Sequence, residues 1–138
     1  MVNIESFKRQ HEEIGEIIKN IRSLVAEGRP EAKANELALM ISTLAGKLKI
    51  HLNTEDKYMY PELLNSQSEE VRNTAKDYID EMGSISETFM AYKERFNTRS
   101  KISANLDSFE SESDRVFSII EKRIAREEAH YIHFYGDK

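Results

Sequence analysis

His51 and Glu55 stand four residues apart, a spacing that puts both on one helix face about one turn from each other. An imidazole and a carboxylate so placed are the parts of a metal site or of a buried ion network. Leu37, Ile41, Leu44 and Leu48 lead into the pair at alternating steps of four and three, so the shared face is the buried one. Each polar group on that face needs a metal, a counter-charge or hydrogen bonds, because burial without a partner is costly. Pro61 closes the run six residues after Glu55.

The elements that position these residues are marked off by breaks. Gly28-Arg29-Pro30 stops one helix and starts the next, with Pro30 suited to a first helical position. Asn65-Ser66-Gln67-Ser68 is a second break, with Ser66 and Glu69 spaced as a capping box. Residues 97–105 form a polar third break. The segments between run roughly 3–27, 31–64, 68–96 and 105–134, and each carries an apolar stripe. The first reads Ile4, Phe7, His11, Ile14, Ile18, Ile21, Val25. The second continues from Leu48 through His51 and Glu55 to Tyr58. The third is Val71, Ala75, Tyr78, Met82, Ile85, Phe89, Tyr92, Phe96. The fourth is Leu106, Phe109, Ser113, Val116, Ile120, Arg123, Glu127, His130, Phe134. Four long amphipathic helices with short connections predict an all-α, antiparallel up-down-up-down four-helix bundle, a single domain over residues 1–138.

The polar interruptions fall at one height. His51 lies about ten residues before its helix ends, roughly 15 Å at about 1.5 Å per residue. In an antiparallel bundle the matching levels are His11 on the first helix, Tyr78 and Met82 on the third, and Arg123 and Glu127 on the fourth, with His130 a turn beyond. One buried histidine is usually a satisfied core residue. Several stripes broken at one level point to a built site between facing helices.

Composition narrows the chemistry. The chain has no cysteine, which removes disulfides and thiolate metal sites and leaves histidine and carboxylate as ligands. A formal net charge of −5, without a cluster of Lys and Arg, argues against a nucleic-acid surface. No stretch reaches the roughly 20 apolar residues of a membrane span, and the first ten residues lack an apolar signal core. A cytoplasmic protein, monomeric or homodimeric, is expected. The aromatic residues Tyr131, Phe134 and Tyr135 are expected to cover the bundle end or form a dimer contact, and His133 to face outward.

The segments Phe7-Lys8-Arg9-Gln10-His11-Glu12-Glu13-Ile14, His51-x-x-x-Glu55 running into Tyr58-Met59-Tyr60-Pro61-Glu62-Leu63, and Arg123-Ile124-Ala125-Arg126-Glu127-Glu128 together resemble the hemerythrin-like, or HHE cation-binding, family. The resemblance covers essentially the whole chain. It implies non-haem iron held by histidines and bridging carboxylates, and a role in O2 or NO binding, redox sensing or iron handling rather than turnover as an enzyme. Carried over by motif position, His11 and His51 are terminal ligands and Glu55 and Glu127 the bridging carboxylates. The sequence departs from the family where the third helix shows Tyr78 and Met82 in place of histidines, and where Arg123 replaces the histidine of the last helix. A guanidinium has no lone pair for a metal.

Two readings of the site follow. In one, His11, His51, Glu55 and Glu127 hold iron, mononuclear or dinuclear, with His130 as a possible third imidazole through its Glu127-x-x-His130 spacing. In the other the bundle is metal-free: Arg123 bridges Glu55 and Glu127, Tyr78 gives its hydroxyl to a carboxylate, and the domain is a binding scaffold. Met82 is core filler in both. A phosphorelay histidine must be exposed, and His51 is not; nucleophilic hydrolysis lacks a Cys, a phosphate loop and a Ser/His/Asp set.

Overall fold

The computed structural model describes residues 4–29 and 31–135, with side chains over 5–29 and 31–130. The roles expected of Ile4, Pro30, Tyr131, His133, Phe134 and Tyr135 fall outside the described side chains. The described residues form α1 (Ile4–Ala26), α2 (Ala34–Thr54), a π-helical turn (Glu55–Met59), α3 (Tyr60–Leu64), α4 (Glu69–Phe96), α5 (Arg99–Ala104) and α6 (Leu106–Tyr135), with no strand among them. Gly28, at φ +83, takes the chain out of α1 through the left-handed region that glycine enters without a Cβ penalty.

The helices pack as a bundle in which α1 meets α2, α2 meets α4, α4 meets α6 and α6 meets α1. Cross-helix pairs give the local directions. His11 meets His51 while Glu13 meets Lys47; His11 meets Glu127 while Arg22 meets Glu121 and Asp114. Tyr78 meets His130 and Tyr92 meets Ser113. In each case numbers rise on one helix as they fall on its neighbour.

Most of the described stripe residues are buried, and the core falls into two clusters. The larger runs from Ile14 and Leu48 to Phe96 and Phe109. The smaller, at the other end, holds Phe7, Met59, Tyr60, Leu63, Ala75 and Tyr78. A layer of polar side chains lies between them.

Three local features differ from expectation. The cap of α4 is Ser68, whose hydroxyl accepts from the Val71 N–H, while Ser66 accepts from the Ser68 N–H and so sits one step outside the helix. The polar third break contains α5, capped by Thr98 and anchored by the buried Ile102. The third difference shapes the site. Between α2 and α3 the backbone stays helical but widens, so that the Tyr60 N–H donates to the Glu55 carbonyl five residues back. Pro61 explains the widening: it has no N–H for the Lys57 carbonyl, and its ring would press on that carbonyl in a regular α-helix. The extra residue rotates everything beyond Glu55. Tyr58, expected on the stripe, is 54% exposed, and Met59 and Tyr60 are buried instead.

Candidate metal centre

The polar layer is assembled from α1, α2, the π turn and α6. His11 sits between Phe7 and Ile14 on the buried face of α1, and His51 follows Leu48 on that of α2. Glu55 opens the π turn, and α6 brings Arg123 and Glu127 inward four residues apart. All five are buried; Glu55 has no exposed surface at all.

Three donor atoms converge on one side of the layer, with a fourth beside one of them. His11 Nε2 and His51 Nε2 are 3.0 Å apart. Glu127 Oε1 is 3.0 Å from the first and 3.5 Å from the second. Glu55 Oε1 lies 3.0 Å from His51 Nε2. The opposite ring nitrogens fix the tautomers. His11 Nδ1 meets Glu128 Oε1 at 3.1 Å and His51 Nδ1 meets Gln10 Oε1 at 2.7 Å. Both partners accept, so each Nδ1 carries a proton; a neutral ring then turns an Nε2 lone pair inward, and a protonated ring donates from Nε2 as well. Lone pairs facing each other and a carboxylate oxygen require a proton or a metal ion among them.

These atoms fit a metal ion. Ligand bonds of about 2.1 Å separate neighbouring donors by about 3.0 Å at right angles and about 3.4 Å at the tetrahedral angle. The separations here span that range. His11, His51 and Glu127 each offer a donor within 4.8 Å of the others. Glu55 Oε1, outside that group of three, is buried beside His51 Nε2 and makes no hydrogen bond. A single proton on one imidazole can satisfy only part of this set.

The other side of the layer belongs to Arg123. Its Nε donates to Glu127 Oε2 at 2.5 Å, and its Nη2 donates to the Tyr60 hydroxyl at 2.6 Å and the Tyr78 carbonyl at 3.2 Å. The Tyr60 hydroxyl in turn donates to Glu55 Oε2 at 3.4 Å. The guanidinium lies over the Tyr78 ring, 4.3 Å from its centroid, a cation–π contact. Its Nη1 lacks a hydrogen bond and lies 3.6 Å from Glu81, which also pairs with Arg126.

The charges are strongly coupled. Burial opposes ionisation of Glu127, but hydrogen bonds from His11 and His51 and the Arg123 charge outweigh it and hold this carboxyl well below its usual range. Burial, reinforced by the Glu127 charge, pushes Glu55 up to about 7. For His51 burial works against protonation, yet the two carboxylates raise it to about 9. The Tyr60 hydroxyl, raised by burial, keeps its proton. Without a metal, then, Glu127 is the firm anion and His51 carries the compensating proton.

The structure brings His11, His51, Glu55, Glu127 and Arg123 together, as their spacing predicts. It sends Tyr78 and His130 elsewhere. The Tyr78 hydroxyl goes to the Arg126 carbonyl and His130 Nδ1, not to a carboxylate, so His130 faces a groove along Asp77, Asp80 and Glu81. Tyr60 plays the part expected of Tyr78, because the π turn swings it inward. Met82 is half-buried against the smaller cluster. It also lines, with Leu48, Leu52, Ile85, Ile120 and Ile124, a cavity of about 20 Å³ whose polar wall is His51, Glu55, Arg123 and Glu127. Gln10 and Glu128 are not marked by an apolar stripe, because each lies beside it. Their signal was adjacency to His11 and Glu127.

A family model, the hemerythrin HHE cation binding domain, matches residues 2–135 of the chain. No curated protein and no solved structure matches it.

Proposed function

The chain belongs to the hemerythrin HHE cation-binding domain family, and we propose that it is a metal-binding protein whose ion, iron by family affinity, is held by His11, His51, Glu55 and Glu127. The supporting observation is the pair of imidazole Nε2 atoms 3.0 Å apart, each ring held through Nδ1 by an outer acceptor. That arrangement leaves two lone pairs and a Glu127 oxygen around one point, with a Glu55 oxygen beside His51. The pairings between helices support an antiparallel up-down-up-down bundle of four long helices as the frame, folded as one domain.

A bound iron ion would supply Lewis acidity and redox exchange at an open coordination position. The protein's own residues do the rest. Gln10 and Glu128 orient the imidazoles, and Tyr60 and Arg123 fix the far oxygens of the two carboxylates. The cavity of about 20 Å³ has room for one molecule of about water's size. Its wall is mostly aliphatic, which suits a small, weakly polar ligand such as O2 or NO. No larger substrate is accommodated there, and reversible binding is the activity that the site supports best.

Metal analysis of protein purified without chelators, followed by anaerobic titration with ferrous iron, tests this. Retained iron that raises thermal stability, and is lost in His51→Ala, is the expected result. One observation favours a second reading, a metal-free scaffold: Arg123, Tyr60 and the two carboxylates already form a continuous ion and hydrogen-bond network. A native chain that takes up no ion would establish that reading instead.

A further inference from the structure

Resting on the metal-site reading, the geometry points to a centre that takes one ion only, because Arg123 permanently fills the place of a second cation. Each carboxylate faces two ways. Glu127 turns Oε1 to His11 Nε2 at 3.0 Å and Oε2 to Arg123 Nε at 2.5 Å. Glu55 turns Oε1 to His51 Nε2 at 3.0 Å and Oε2 to the Tyr60 hydroxyl, which is itself bonded to Arg123 Nη2. Two side-by-side carboxylates thus define two places for positive charge. The imidazoles line the first, and a guanidinium occupies the second.

That second place cannot also accept a metal. Arg123 stays protonated and has no lone pair. It is pinned by the Tyr78 carbonyl and the Tyr78 ring, with 6% of its surface exposed. The remaining oxygen there is the Tyr60 hydroxyl, already committed to Glu55 Oε2 and Arg123 Nη2. Both remaining carboxylate oxygens are already engaged, and an incoming divalent ion would meet the guanidinium's like charge at short range. Arg123 is therefore a positioning and specificity residue: it orients both carboxylates and sets the ion count.

The ion count limits the redox chemistry. One ion passing between ferrous and ferric exchanges one electron, whereas two-electron reduction of dioxygen needs a second electron from elsewhere. Nitric oxide can bind such an ion with no net electron supplied from outside. The ligand class this favours is a small diatomic bound without two-electron transfer.

The test is iron stoichiometry with a magnetic readout on the full chain. After anaerobic loading with ferrous iron and desalting, about one iron per chain is expected, and after oxidation the EPR signal of an isolated high-spin ferric ion. About two irons per chain, with an EPR-silent coupled pair, would overturn the inference and leave the metal reading standing. No retained iron and no change in thermal stability would defeat both. Arg123→His should raise the count to about two and quench the EPR signal, while Arg123→Lys, which keeps a cation there, should stay near one. An Arg123→His chain that folds yet still holds only one iron would also count against the assignment. If it does not fold, the unaltered chain and Arg123→Lys decide the matter.

Discussion

The two sides of the polar layer stabilise the same pair of buried carboxylates by different means. On the guanidinium side the cation is covalent: Arg123 reaches Glu127 directly and Glu55 through Tyr60. On the imidazole side the groups are all potential donors of lone pairs, backed by Gln10 and Glu128 from the layer's edge. The first side already holds its cation, although Arg123 Nη1 makes no hydrogen bond. The second is complete only when a proton or a metal ion is present. Fixed charge therefore provides structure, and the incomplete side provides the capacity to bind.

Removing the fixed charge should have the largest effect. Arg123→Ala leaves Glu127 and Glu55 buried beside a space with no cation, and breaking a buried pair in this way costs about 3–5 kcal/mol. Urea unfolding of the metal-free protein, followed by circular dichroism, measures it. A loss below about 1 kcal/mol would mean that the two sides do not differ as described.

The Gln10→Ala substitution addresses the other side. It removes the acceptor that holds His51 Nδ1–H and so the preferred tautomer, while leaving every direct donor in place. Iron affinity should fall about 10–100-fold, with little change in metal-free stability. Competition with a chromophoric chelator reads the affinity. If stability falls and affinity does not, Gln10 is a structural contact only.

The stripes made much of this arrangement legible before any coordinates. His11, His51, Glu55, Arg123 and Glu127 all interrupt an apolar 3-4 repeat, and such a repeat carries direction: a residue on it must point inward. Counting from helix ends then placed them at one level, since the rise per residue is constant. Legibility ended where the period changed. The π turn inserts an extra residue after Glu55, so a 3.6-residue template continues to Tyr58 when the chain actually buries Met59 and Tyr60. Pro61 marks the place in the sequence, but a proline alone does not specify a π turn before it. Tyr78 is a different case. It is buried as expected, yet a stripe fixes the side of a helix and not the last bond of a long side chain, and its hydroxyl points to the groove.

Tyr60→Phe should sharpen the contrast at a smaller scale. The hydroxyl is the link that carries Arg123's charge to Glu55 Oε2, and without it a buried carboxylate oxygen and a guanidinium N–H each lose a partner. A loss of about 1–3 kcal/mol in the metal-free protein is expected, from the desolvation of groups left unpaired. The ring remains, so the smaller core cluster should keep its packing. Near-UV circular dichroism that is otherwise unchanged would separate the missing hydrogen bonds from a wider rearrangement.

The smallest effect should come from Glu81→Ala, and its smallness is informative. Glu81 lies 3.6 Å from Arg123 Nη1 and pairs with Arg126, which places three charges in sequence from the core to the surface. Arg126 holds Glu81 below the usual carboxylate range. Yet the side chains of Glu81 and Arg126 are 40% and 45% exposed. Water screens them, and pairs of this kind contribute about 0–1 kcal/mol. If Arg123 is anchored from within, by Glu127, Tyr60 and Tyr78, removing its outer neighbour should cost no more than that and leave iron stoichiometry unchanged. A loss comparable to Arg123→Ala would instead make Glu81 a third carboxylate of the network. The boundary of the fixed-charge side would then lie at the surface groove, not at the buried layer.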